Sequence, residues 1–510
     1  MAASLRTLDP NSLIVGWDFS TGSVKALAFD LAGQVVAEAR YPTDLWTAGG
    51  VAELSLMQLE GQARATTRAI AAQLRQLGRL SHWVAGGISA THHTAGRVDA
   101  AGNPLRRAIC WNDQTLLEYH ARGEARLGAG KAQELTGGPW AVRYSLSHLV
   151  KDEATLSPDD WRRTVKMLPH GPLAAGYLTG RMDVTSRSSA ASTGILDLRT
   201  NQWRREMLDC LESAEYRELA WNQLPTVVDA MEPIGPLTES VALDAGIPIH
   251  QRPLIFPTLD DQAAGLVGGG AVDAGQVAVI LGNSAVVNSS SSSLPKPGTL
   301  DAMATNWGPY LWMRCYSNGA QFLDPIVGRN PDWAGLESAA RAVPAGCDGV
   351  GVLPFALAEP SLGVMGSRVE WLPSEPTSAG VRFRAALEAI AYLIAMGVEE
   401  HEAAGQNIRE ISISGGITRN ALMCEILATV LDRPLKRLVS NEGTALGAAV
   451  TALAAMETHG RKQAGIAEPF TVADAVSVMV QFREPVQPIA AEREAYRHGL
   501  ARFKAALQAR

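Results

Sequence analysis

The stretch Ile14-Val15-Gly16-Trp17-Asp18-Phe19-Ser20-Thr21-Gly22-Ser23-Val24-Lys25-Ala26-Leu27-Ala28-Phe29-Asp30 decides how the rest of the chain is read. Two apolar runs, Leu13–Trp17 and Val24–Phe29, flank a polar turn of Ser, Thr and Gly, which predicts a β-hairpin with one Asp at the end of its first strand. Such a turn aims backbone N–H groups and hydroxyls at one anion. A carboxylate beside a phosphate is repelled unless a cation lies between them, so Asp18 points to a metal-linked polyphosphate site. Asp, Thr and Gly are also the usual turn residues, and the hairpin alone fits an ordinary turn with a solvated Asp equally well.

Working outward, Leu31-Ala32-Gly33-Gln34 reads as a second turn and Val35–Ala39 as a third strand, making an antiparallel meander. Glu53–Leu80 carries Leu56, Leu59, Ala63, Ile70, Leu74 and Leu77 at helical spacing, and Val84–Ser89 returns as a strand. Thr91-His92-His93-Thr94 follows that strand end. After a turn at Asp99–Asn103, Ile109-Cys110-Trp111-Asn112-Asp113-Gln114 sets an aromatic beside an amide and a carboxylate, a mixture suited to a polyhydroxylated ligand. Gly171–Leu178 reads as a short helix, Thr185–Thr193 as a loop and Trp203–Leu219 as a polar surface helix.

At Pro253–Gly265 an extended apolar run ends in Asp260-Asp261 and opens into the Ala/Gly-rich Gln262-Ala263-Ala264-Gly265. A carboxylate at a strand end and helix start projects into a cleft, which makes Asp261 a candidate general base. One Asp of the pair can cap the helix; the other is left for something else. The opening pattern then recurs. Gly275–Leu281 is a strand, Gly282-Asn283-Ser284 a small polar turn and Ala285–Asn288 a return strand, with the low-complexity Ser289–Ser293 expected as a mobile surface loop. The repetition predicts an internal duplication with a boundary near Gly268–Gly270. Val381–Glu402 is a long helix, Ile411–Ser414 a strand running into Gly415-Gly416-Ile417-Thr418-Arg419-Asn420, Ala421–Leu431 a helix and Pro434–Val439 a strand. Glycines between a strand and a helix start let the backbone approach a ligand closely. Asn441–Ala449 is rich in small residues suited to tight packing, and Glu492–Arg510 is a charged amphipathic helix.

Composition bounds the partners. The 510 residues exceed a single core, and two or three domains are expected. A net charge of −7 argues against nucleic acid or an acidic membrane as the main partner. Five scattered cysteines with no C-x-x-C spacing indicate neither a disulfide framework nor a zinc site, and a reducing cytoplasm fits best. One Arg and no sustained apolar run precede Asp18, so no signal peptide is expected, and no stretch reaches the ~20 apolar residues of a membrane span. Gly128-Ala129-Gly130-Lys131 lacks the spacing of a Walker A loop, and His401-Glu402 lacks the second His of a zincin, with Gly at 405.

Taken in order, these motifs resemble the FGGY carbohydrate kinases, within the wider actin-like, chaperone-like and sugar-kinase ATPase fold. The resemblance runs from Leu13 to Leu453. The family's first phosphate loop resembles Gly16–Lys25, its catalytic Asp-Asn/Gln-Ala-Ala-Gly matches Asp261–Gly265, its second phosphate loop resembles Gly282–Ser284, and its adenosine segments match Ser414–Asn420 and Glu442–Ala449. Within the family the xylulose kinases are the most similar group, through the strand-end His residues, Trp111-Asn112-Asp113 and the Trp-Asp-Phe-Ser-Thr form of the first loop.

The resemblance implies an α/β chain of two duplicated actin-like, ribonuclease-H-like ATPase domains, 1–268 and 269–510, with the active site in the cleft between them. It implies ATP and Mg²⁺, a ketose such as D-xylulose as phosphoryl acceptor, Asp261 as catalytic base and Asp18 on the metal side. Thr21, Gly22, Ser23, Lys25, Gly282, Asn283 and Ser284 would meet the phosphates; Gly415, Gly416 and Asn420 would meet the adenosine. His92, His93, Trp111, Asp113 and Gln262 would meet the sugar. A kinase for another ketose, polyol or sugar acid, and an actin-like nucleotide-binding regulator of low turnover, are the alternatives. Whether the chain is a monomer or a homodimer is left open. The chain departs from the family pattern at Ser20, usually Gly; at Asn283, usually Thr; at Thr115, often Arg; and around Ser145–Lys151, where the family's Pro-Lys is not evident.

Overall fold

Two sheets of one topology carry the chain. In the computed structural model, which describes residues 5–328 and 330–509, β1 (Leu13–Phe19), β2 (Ser23–Phe29) and β3 (Val35–Pro42) form the expected antiparallel meander. Helix α1 (Leu56–Gln76) starts at a Ser55 cap, and β4 (Trp83–Ala90) returns parallel to β1. Helices α2 (Ser145–Thr155) and α3 (Arg187–Ala191) lie in the long connection that follows. Strands β5 (Leu254–Ile255) and β6 (Leu259–Asp260) both pair parallel to β4, and α4 (Asp261–Gly268) begins where β6 ends.

The second sheet repeats this plan with β7 (Gln276–Leu281), β8 (Ala285–Ser291) and β9 (Tyr310–Tyr316) as its antiparallel set. Helix α5 (Ala379–Ala403) leads to β10 (Glu410–Ser414), which pairs parallel to β7; α6 (Ala421–Leu431) leads to β11 (Leu435–Arg437), parallel to β10; and α7 (Gly443–Ala464) follows. The central strand orders are β3-β2-β1-β4-β5 and β9-β8-β7-β10-β11, with short edge strands at Gly235–Pro236 beside β5 and Asp301–Ala304 beside β9. Each is a meander of three followed by two parallel strands.

The two-residue period of β1 separates two layers. Leu13, Val15, Trp17 and Phe19 pack into one cluster with Leu59, Ala63, Ile70 and Leu74 of α1. Ile14 belongs instead to the cluster of Ala445, Leu446, Ala449 and Leu453 on α7. A helix of the second half thus covers the first sheet, and Asp18, on the same face as Ile14 and Gly16, is turned toward its start. The approach is backbone to backbone. A methyl group built on Gly16 would lie 1.9 Å from the Ala445 carbonyl oxygen, and one on Gly87 2.0 Å from that of Ala448. Between α4 and α7, methyls on Gly268 and Gly447 would meet the carbonyl oxygens of Gly443 at 1.8 Å and Ala264 at 1.9 Å.

Three local expectations are corrected. Ser289–Ser291 is not a mobile loop but the buried end of β8. Its hydroxyls are satisfied inside the core: Ser290 donates to the Ala271 carbonyl at 2.6 Å, and Ser289 Oγ lies 2.8 Å from His401 Nδ1. The Thr185–Thr193 segment contains α3, capped by Ser186, whose side chain accepts from the Ser189 N–H. Trp203–Leu219 is no continuous helix: it holds the end of a two-residue strand, a 3₁₀ turn over Arg205–Cys210 and the start of a helix that begins only at Ala214. The charged terminal helix spans Arg493–Gln508. Among the described residues no helix is long and apolar enough to cross a membrane.

The seam yields a stability expectation. Gly16→Ala forces the α7 backbone away and is expected to cost about 1–3 kcal/mol, read as a lowered denaturation midpoint. A midpoint equal to wild type would contradict the close approach.

Candidate active site

The carboxyl ends of parallel strands gather the polar residues. Register sets Asp18 of β1 beside Ser89 of β4, and Asp260 of β6 beside Ala90, so Asp18, Thr91-His92-His93 and Asp260-Asp261 leave the sheet at one edge. Thr91 holds the strand ends together: its N–H and hydroxyl both donate to the Phe19 carbonyl, at 2.9 and 3.1 Å.

The two adjacent aspartates divide their work. Asp260 caps α4, accepting from the N–H groups of Gln262 at 3.0 Å and Ala263 at 2.9 Å, while its other oxygen accepts from Ser188 Oγ at 2.5 Å. Asp261 is left half-buried, with one oxygen accepting weakly from the His92 N–H at 3.3 Å and from Gln262 Nε2 at 3.4 Å. Burial first, then the charges of Asp260 and Asp18, raise its carboxyl from the ordinary 3.8 to about 8. Asp18 is buried as well, and its pKa is raised by desolvation. Lys25 opposes that shift, as do hydrogen bonds from Thr444 and Ser89, the latter at 3.3 Å. Thr444 stands in the first turn of α7, whose N-terminus favours a negative charge there.

Three carboxyl groups therefore crowd one edge, with Lys25 as the cation facing Asp18, itself paired to Glu442 at 2.7 Å. An all-oxygen set of mutually repelling carboxylates fits a hard divalent cation such as Mg²⁺. His92, Asp260 and Asp261 also bring one donor atom each within 4.8 Å of one another. Asp260 is committed to its cap and to Ser188, so Asp18 and Asp261 are the carboxylates open to a cation.

The histidines form a buried neutral wall. His92 stacks on His93 at 3.6 Å between ring centroids, and His93 stacks on Tyr144 at 4.4 Å. Burial lowers His92 to about 4 and His93 well below the ordinary value, where the neighbouring His92 and Arg143 add to the effect. His93 adopts φ 53°, a left-handed conformation unusual for a residue with a side chain, and its Nδ1 lies 2.8 Å from the Ser192 carbonyl. Both ring nitrogens of His92 and Nε2 of His93 are buried without a hydrogen-bond partner, so they can meet a hydroxylated ligand. Arg143 and Tyr144, which the sequence reading missed, both bind Asp301, the tyrosine at 3.2 Å.

The other expected sugar contacts sit differently. Asp113 is buried and held by Lys151 at 2.8 Å and by the Thr115 hydroxyl at 2.5 Å, while Trp111 is 38% exposed. Gln262 accepts from Asn288 Nδ2 at 3.0 Å, which ties α4 to β8. The first turn is closed by Ser20, whose hydroxyl donates to the Ser23 carbonyl at 2.8 Å; Thr21 is half-buried, Gly22 exposed and Ser23 buried. Across the cleft, the Gly282 and Asn283 carbonyls accept from Ala320 and Gly319, at 2.8 and 2.9 Å. Gly415 has φ 100°, and a methyl on it would lie 2.2 Å from the Leu281 carbonyl oxygen, so the glycine loop abuts the end of β7. Gly416 is exposed beyond it, and Asn420 caps α6, accepting from the Met423 N–H at 2.8 Å.

Duplicated sheets meeting at carboxylates and glycine turns define the two-lobed sugar-kinase type of ATPase fold. The xylulose kinase of Rhodospirillum rubrum superposes with a TM-score of 0.83 over 97% of this chain and 98% of its own, at 23% identity. The models of the FGGY family of carbohydrate kinases match residues 13–268 (N-terminal domain) and 277–456 (C-terminal domain), and the chain belongs to this family. Its similar relatives include the xylulose kinase of Escherichia coli K12, 28% identical, with 86% of this chain and 89% of that protein covered. The L-fuculokinase of Salmonella typhi is 27% identical, with 86% and 91% covered. The chain is an ATP-dependent sugar kinase of the FGGY type.

The raised Asp261 carboxyl has a consequence for stability. A folded-state value above the unfolded one favours the protonated form, so stability is lost as pH rises from about 4 toward about 8. Asp261→Asn removes that loss. Without added metal its melting temperature is expected above wild type at pH 8, with the gap closing toward pH 4; an equal gap at both would contradict the assignment.

Proposed function

We propose that the chain transfers the γ-phosphate of ATP to a hydroxyl of a ketose, converting D-xylulose to D-xylulose 5-phosphate. The observation that carries the reaction is Asp261, half-buried at the strand edge, held by weak hydrogen bonds and raised to about 8 by burial, Asp260 and Asp18. A carboxylate so destabilised has a strong drive to take a proton. Asp261 accepts the proton of the attacking hydroxyl, whose oxygen bonds to the γ-phosphorus in line as the bond to the bridging oxygen breaks and ADP leaves.

Asp18 would hold Mg²⁺, and the ion would supply neutralisation of the phosphate charge. Thr21, Gly22, Ser23 and Lys25 receive the terminal phosphate from one lobe, and Gly282, Asn283 and Ser284 receive it from the other. Gly415, Gly416 and Asn420 bound the adenosine. His92 and His93 offer unpartnered ring nitrogens to the sugar hydroxyls, with Gln262 beside the base. The lobes divide near Gly268–Gly270, and closing them excludes the water that would otherwise take the phosphate.

The choice of a ketose rests on the xylulose kinases among the relatives, and the L-fuculokinase at similar identity makes the acceptor a matter for direct assay. ADP release coupled to a dye, run across D-xylulose, L-fuculose, glycerol and gluconate, is expected to give the highest kcat/KM with D-xylulose. A preference for another acceptor would move the substrate reading, while sugar-independent ADP release would sink the kinase reading. Asp261→Ala is expected to lower kcat by about 10²–10⁴-fold while ATP binding, read by calorimetry, stays. Full turnover in Asp261→Ala would remove it as the base.

A further inference from the structure

Outside the cleft the first half of the chain holds a cavity of about 610 Å³, within the roughly 300–1,000 Å³ usual for small-molecule sites. Arg187, Asn201, Gln202, Trp203, Trp221 and Asp229 give it its chemistry, and none of the residues assigned above to phosphate, base or sugar lines it. Arg187, half-buried, has no ion-pair or hydrogen-bond partner among the described residues, which leaves its guanidinium open to an anion. Asn201 stands at φ 56° with its side-chain oxygen buried and unpartnered. Gln202 is exposed, with a free amide. Trp203 is anchored by its Nε1, which donates to the Pro225 carbonyl at 2.9 Å, so it is a rigid wall rather than a loose side chain.

We propose that this cavity is a second ligand site and that it takes a sugar monophosphate. Indole surfaces of Trp203 and Trp221 suit the C–H faces of a sugar ring. The Asn201 and Gln202 amides suit its hydroxyls, and Arg187 suits the phosphate. Asp229, exposed, with one oxygen accepting from the Met231 N–H at 3.0 Å, adds a negative charge that disfavours a second phosphate group. The site also lies one residue from the reacting edge: Arg187 opens α3, and the next residue, Ser188, holds Asp260.

The test needs no turnover and stands apart from the reading of Asp261. The full chain, without ATP, is titrated calorimetrically with ribose 5-phosphate, ribose and inorganic phosphate. Saturable binding of ribose 5-phosphate is expected, at least about tenfold weaker in Arg187→Gln and likewise in Trp221→Ala, with melting temperatures and sugar phosphorylation kept in at least one of the two variants. Ribose and phosphate separately are expected to bind at least about tenfold more weakly than the ester. Unchanged affinity in both variants means that the ester sits elsewhere, in the cleft for instance, and overturns the proposal. Equal affinity for inorganic phosphate overturns the sugar half of it, and no binding at all overturns the whole.

Discussion

The seam between α7 and the first half is the constraint on which the rest depends. Carbonyl oxygens of Ala445 and Ala448 lie where side chains would stand on Gly16 and Gly87, and α4 meets α7 through Gly268 and Gly447 in the same manner. That closeness brings Thr444 onto Asp18 and Glu442 onto Lys25. A methyl group at any of these glycines would push the start of α7 from the sheet edge. The electrostatics of the site are thus set by backbone packing, several residues away from the carboxylates themselves.

Burial then shapes the chemistry. Desolvation is the first cause of the shifts at Asp18, Asp261, His92 and His93, and it acts in opposite directions on acids and bases. The acids become stronger proton acceptors, and the histidines stay neutral at physiological pH. An edge built this way has a side ready to take up a proton and an uncharged side for hydroxyl groups, using one physical effect for both.

What could be read from the sequence was local. The hairpin at Leu13–Phe29, its counterpart at Gly275–Asn288 and the Asp260-Asp261 pair each announce themselves within a short local stretch, and the strand order of the two hairpins repeats between halves. Capping chemistry called for one aspartate of the pair at the helix start, and the structure puts Asp260 there. The partners did not. Ser188 reaches Asp260 across 72 positions, Lys25 reaches Glu442 across 417 and Lys151 reaches Asp113 across 38. No periodicity or spacing encodes such pairs, because the folded sheets make them neighbours. The Ser289–Ser293 error has a different origin: composition reports polarity, and polarity is compatible with a core strand when every hydroxyl finds a partner.

That serine strand bears on how the molecule can be taken apart. A run of small polar residues near mid-chain looks like a tether at which a protein could be split, lengthened or tagged. Here Ser289, Ser290 and Ser291 pair with Trp312, Leu311 and Tyr310, and Val277 of β7 sits on the other side of Ser289. An inserted tag or a protease cut at this point would open the middle of the second sheet, so the apparent tether is among the least severable stretches of the chain.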